Sequence, residues 1–61
     1  MKEYEKIKQL VTALEEDVIK FAEKGNNAAG TRVRKGLQEI KRACQEMRDA
    51  VQTLKRGEPG Q

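Results

Sequence analysis

The stretch Lys24-Gly25-Asn26-Asn27-Ala28-Ala29-Gly30 separates two gapless runs of helix-spaced apolar residues. Before it, Tyr4, Ile7, Val11, Leu14, Val18 and Phe21 recur at alternating spacings of three and four, the seam of a helix that packs against another helix. After it, Val33, Leu37, Ile40, Cys44, Met47, Val51 and Leu54 repeat the pattern without a miss. Gly25 suits the left-handed position just past a helix end, and an Asn suits the cap of the next helix. Two helices joined by so short a turn run antiparallel. The expected fold is therefore all-α, an antiparallel helical hairpin. Period-two alternation appears nowhere and the only proline is Pro59, so strands are excluded.

Residues 1–56 are expected to form one helical hairpin domain. Helix one spans about 3–24 and helix two about 27–56, roughly 33 and 45 Å at 1.5 Å per residue. The second helix then overhangs the first, and residues 57–61, Gly-Glu-Pro-Gly-Gln, form a frayed tail. Extending the second register backward puts Gly30 on the seam beside Ala28 and Ala29, small residues that let the backbones approach near the turn. Gly30 and Gly36 each cost helix two about 1 kcal/mol of propensity against Ala.

A chain of 61 residues with one Tyr, one Phe, no Trp and no His has room for one small domain and little core. Cys44 is the only cysteine, so no internal disulfide and no zinc or haem site is expected, and no cofactor. Oligomerisation is left as the staple. Leu10, Ala13, Ile19, Ala22, Ala43 and Ala50 widen the apolar stripes beyond what a hairpin can cover. A second copy would cover the remainder, giving a homodimeric four-helix bundle. Its oligomer core would be Tyr4, Ile7, Val11, Leu14, Val18, Phe21, Val33, Leu37, Ile40, Cys44, Met47, Val51 and Leu54, with Cys44 acting as a small hydrophobe. No apolar stretch approaches the roughly 20 residues that span a bilayer, and the N-terminus lacks the apolar segment of a signal peptide. The expected setting is cytoplasmic and reducing.

Net charge is +3, unevenly spread. Residues 1–24 sum to −1 with lysine as their only base, whereas residues 25–61 sum to +4 and five of their eight bases are arginine. Arginine pairs with phosphate oxygens in bidentate fashion, so this shift matters more than the total. With Val33 at heptad position d, Arg34, Lys41, Arg48 and Lys55 all fall at e, a basic ridge beside the seam. Interhelical ion pairs would account for such a ridge, but the facing g positions of helix one, Glu3, Leu10, Asp17 and Lys24, supply only two acids.

Arg32, Arg34 and Lys35 also crowd the early turns of helix two, where cations oppose the helix dipole. An anion explains them: phosphate oxygens held by these three side chains, with Thr31 or Asn27 adding hydrogen bonds. Double-stranded DNA is the commonest such polyanion, and contacts of this kind are independent of sequence and sensitive to salt. Catalysis is not expected. Glu15 and Glu16 lie in a repeating helical pattern with no pocket-forming segments, and Gly25 to Gly30 lacks the spacing and Lys-Ser/Thr of a phosphate loop. Tyr4 and Phe21, committed to the seam, are not free to stack single-stranded bases.

The run Glu23-Lys24-Gly25-Asn26-Asn27-Ala28-Ala29-Gly30-Thr31-Arg32-Val33-Arg34-Lys35, followed by Leu37-Gln38-Glu39-Ile40-Lys41, resembles the bacterial histone-like nucleoid proteins typified by the chlamydial linker-histone-like protein. Its most specific part is the Lys-Gly-Asn-x-Ala-Ala-x-x-Arg-x-Arg core, and the likeness covers nearly the whole chain. The resemblance implies a short helical domain followed by a long Lys/Ala/Pro-rich tail that binds DNA without sequence preference. Here a tail-less form is expected, since Gly-Glu-Pro-Gly-Gln follows Arg56.

Together these readings give a non-enzymatic, nucleoid-associated, histone-like DNA-binding protein of the bacterial cytoplasm. It is expected to contact DNA backbone through Arg32, Arg34, Lys35, Lys41, Arg42 and Arg48, assisted by Thr31 and Asn27, with no small-molecule substrate and no membrane partner. The rival reading is a helical protein-interaction or oligomerisation module without DNA binding. A membrane-surface helix is the third class, disfavoured because the apolar face is used in the bundle.

Overall fold

The computed structural model describes residues 1–57 as two α-helices, α1 (Lys2–Lys24) and α2 (Asn27–Lys55), folded into an antiparallel hairpin. There are no strands among the described residues. Of the expected tail, 57–61, only Gly57 is described, and its N–H donates to the Leu54 carbonyl at 3.0 Å as α2 ends. The remainder lies outside the described residues.

The turn is made by two residues with distinct tasks. Gly25 sits in the left-handed region at φ 63° and ψ 27°, a conformation a Cβ would strain, and its N–H donates to the Phe21 carbonyl at 3.0 Å. Asn26 then turns to extended geometry, and its side-chain oxygen accepts from the Ala29 N–H at 3.0 Å. That cap satisfies one of the free amides opening α2 and contributes about 1 kcal/mol. Asn26 is thus the cap, and Asn27 is the first helical residue.

Packing between the helices follows a row that the apolar seam alone does not reveal. On α2, Ala29, Gly36, Ala43 and Ala50 recur every seven residues; Ala29 and Ala43 are buried, Gly36 and Ala50 half-buried. Alternating with them, Val33, Ile40 and Met47 are half-buried. From α1 come Ile7 and Leu10, both half-buried, and Leu14, the one large side chain that is buried among the described residues. The close approach is steric. A Cβ at Gly36 would lie 2.7 Å from Leu14 Cδ2, and one at Gly30 would lie 2.7 Å from Phe21 Cδ1. Both distances are below what carbon atoms tolerate, so small residues set the helix spacing.

Packing on this small row rotates the other half of each seam away from the interface. Tyr4, Val11, Val18 and Phe21 on α1, and Leu37, Cys44, Val51 and Leu54 on α2, are exposed in the single chain. Cys44 and Val51 line a groove with Ile7 and Met47, and Val11, Val18 and Leu37 line another with Ile40. Leu14 borders this groove and also the one on the opposite side, which holds Leu10, Asp17, Arg32, Lys35 and Glu39. The hairpin therefore has an apolar face and a charged face.

The two glycines should respond differently to alanine. Gly36→Ala displaces buried Leu14, and overpacking at about 1–3 kcal/mol exceeds the roughly 1 kcal/mol of helix propensity gained. Its melting temperature is expected to fall. In Gly30→Ala the half-exposed Phe21 ring can swing outward, so melting at or above wild type is expected. Circular dichroism melts of the two variants make the comparison, and equal shifts would remove Leu14–Gly36 as the spacing contact.

Candidate nucleic-acid interface

Every candidate contact residue, Asn27, Thr31, Arg32, Arg34, Lys35, Lys41, Arg42 and Arg48, is exposed. They do not all share one face. Arg32 turns toward α1, where its guanidinium grips Asp17 from two nitrogens: Nη2 is 2.9 Å and Nε 3.0 Å from the same carboxylate oxygen. Charge-assisted bonding to Arg32 holds Asp17 below the usual carboxylate range despite the partial desolvation that opposes it. The same bond raises Arg32 further above its already high value. The cation that opposes the α2 dipole most directly thus has its anion within the chain.

The remaining five cations are spread over more than one side of α2. Lys41 and Arg42 lie together on the side away from α1, flanked by Gln38 and Gln45. Lys35 and Arg42 border the charged face, beside Lys6 and Glu39. Arg48, with Lys55, edges the apolar groove on the other flank. None of Arg34, Lys35, Lys41, Arg42 and Arg48 forms an ion pair among the described residues, and Asp49 accepts from the Gln45 amide at 3.0 Å. Thr31 donates its hydroxyl to the Asn27 carbonyl at 3.2 Å, a bond within the first turns of α2.

Interhelical ion pairing takes a route that the heptad argument missed. The e-position ridge pairs with nothing on α1; the cross-links run instead from Arg32 to Asp17 and from Lys6 to Glu46, the latter at 3.2 Å. Both lie toward the charged face because the small-residue row turns that side of α2 to α1. Glu39 and Glu46, at c, therefore screen the charged face, while the outer surface stays basic. The heptad of small residues at g was the readable signal for this rotation.

A family model for the histone H1-like protein Hc1 matches residues 1–57. The chain belongs to that family. Its members are histone-like, DNA-binding nucleoid proteins without enzymatic activity. No curated protein and no solved structure gives a match. Among the described residues no helix is long and apolar enough to cross a membrane, and no cluster of acidic, Cys or His side chains could hold a metal ion.

The Asp17–Arg32 pair has a pH signature. A carboxylate whose folded pKa is depressed adds stability that is complete above its ordinary value, near 3.8, and is lost as pH falls through the lower folded value. Asp17→Asn is therefore expected to melt slightly below wild type at neutral pH and to lose less between pH 4 and the acid limit. Melts taken from pH 7 down to about pH 2 test this, and parallel curves would show the pair to be energetically silent.

Proposed function

We propose that this histone-like protein holds DNA by its phosphate backbone, through the outer surface of α2. The observation that carries the reading is the set Arg34, Lys35, Lys41, Arg42 and Arg48, exposed and without an internal ion pair, in a family of DNA-binding nucleoid proteins. Successive e-position cations stand about 10.5 Å apart along the helix, and duplex DNA carries a charge about every 1.7 Å of its axis. Such a ridge finds phosphates at any register, which favours contact without sequence preference. Gln38, Gln45 and Gln52 between the cations can add neutral hydrogen bonds to phosphate or sugar. Arg32 is a lesser contributor, since a phosphate would compete with Asp17 for its guanidinium.

The apolar face is read as the seat of a second copy. Its exposed side chains are too many and too contiguous for a single hairpin that buries one large residue. A homodimer places them in a four-helix core and doubles the basic surface. Residence at the bacterial nucleoid follows from the same reading.

Anisotropy of a labelled random-sequence duplex at about 50 and 200 mM salt tests the assignment. With four phosphates neutralised, affinity should fall about a hundredfold across that range. Lys41→Ala combined with Arg42→Ala should weaken binding to all sequences alike and flatten the log–log salt slope by about 1.8, at 0.9 per lost contact. Arg32→Ala should change it by less than either substitution. An unaltered slope in the double variant would move the site elsewhere. No binding at the lower salt would favour a protein-interaction module that works through the apolar face.

A further inference from the structure

We propose that two copies join apolar face to apolar face with α2 of each packed on α1 of the other, so that the two basic outer surfaces point in opposite directions and one dimer bridges two DNA duplexes. The inference rests on the reading of the α2 outer surface as the DNA-binding surface. It concerns which of two possible bundles forms, and charge along the edges of the apolar face decides between them.

A two-fold axis lying in the plane of the apolar face can place α2 over its own counterpart or over the partner's α1. The α2 edge of this face is the ridge Arg34, Lys41, Arg48 and Lys55, none of them ion-paired among the described residues, with Arg48 and Lys55 bordering the groove itself. Setting α2 over α2 would lay two such rows side by side, eight cations along one seam. Neighbouring helices pack 8–10 Å apart, about one Debye length at physiological salt, so solvent ions do not remove that repulsion.

The corresponding edge of α1 is different. Its heptad equivalents are Lys8, Glu15 and Ala22, with Glu15 bordering the groove and Lys8 already paired with Glu5 at 3.2 Å. This edge is neutral overall, so α2 over α1 brings no like-charge row against the ridge. Both arrangements make every neighbouring pair of helices antiparallel, so the helix dipoles do not separate them and the edge charge does. With α2 over α1 the two α2 helices occupy diagonal corners of the bundle. Lys41 and Gln45, on a side of α2 that no α1 residue borders, face outward in opposite directions in the two copies. Such a dimer cannot lay both basic surfaces on one straight duplex. It can hold two.

Two measurements on the full chain test the proposal. With Cys44→Ala and Lys41→Cys, a spin label midway along the basic edge of each α2 reports the arrangement without DNA. Diagonal helices about 14 Å apart, each about 5–6 Å in radius, place the labels about 25 Å apart, whereas α2 over α2 brings the two edges together and places them about 10 Å apart. The long distance is expected; the short one, or no dipolar coupling at all, overturns the arrangement. In the second measurement, a surface-tethered duplex is incubated with the unmodified protein and a free fluorescent duplex, while anisotropy follows binding to one duplex. Capture of the free duplex at concentrations that saturate anisotropy is expected. Binding without capture overturns the bridge and leaves the α2 surface standing, whereas failure to bind in anisotropy overturns both.

Discussion

Leu14 lies against Gly36, and the remainder of the structure depends on that close contact. A side chain at position 36 would collide with Leu14, so α2 can bring its backbone close only along the row Ala29, Gly36, Ala43 and Ala50. Once the helices meet along that row, their rotation about their own axes is settled. Val33, Ile40 and Met47 fall half inside the interface, while Leu37, Cys44 and Val51 are turned to one side, where Leu37 lines a groove with Val11 and Val18 and the other two line one with Ile7. The hairpin thus spends its small residues on internal contact and leaves its large ones for another surface.

The same rotation sorts the charges of α2. Turning position g toward α1 carries c and its acids, Glu39 and Glu46, to one flank, where Lys6 answers Glu46. It carries the e-position cations to the opposite flank, out of reach of the acids of α1. Among them Lys41 stands beside the amides of Gln38 and Gln45, while Arg42 also borders Glu39 on the charged face. A family of histone-like proteins needs cations whose charge is not already spent, and the fold supplies them by geometry as much as by composition. Asp17 marks the limit of this separation: it takes Arg32 out of the basic surface and makes it a strut between the helices.

Much of the fold was legible in the residues. The two seams with spacings of three and four, the Gly25 break and the neighbouring Asn pair required helices, their number and their antiparallel sense, because helix periodicity and cap chemistry are local properties. The family likeness was legible too, in the Lys24 to Arg34 core. Less legible was the use of the seam. Thirteen residues share its spacing, yet the single chain buries only Leu14 among them. An apolar stripe wider than one contact can be centred in more than one way, and the spacing of large residues does not say which. The clue was in the small ones, repeated every seven positions, which a count of hydrophobic residues passes over.

The sequence alone determined the helices, the turn, the basic character of the second half and the family. Each of these follows from neighbours along the chain or from composition, and no distant contact is needed to read it. Tertiary structure alone decided which faces the helices present to each other, and so which cations remain available and which are consumed. Those outcomes depend on how closely two backbones can approach, a steric property of Leu14 with Gly36 and of Phe21 with Gly30. They exist only once residues more than eight positions apart are in contact.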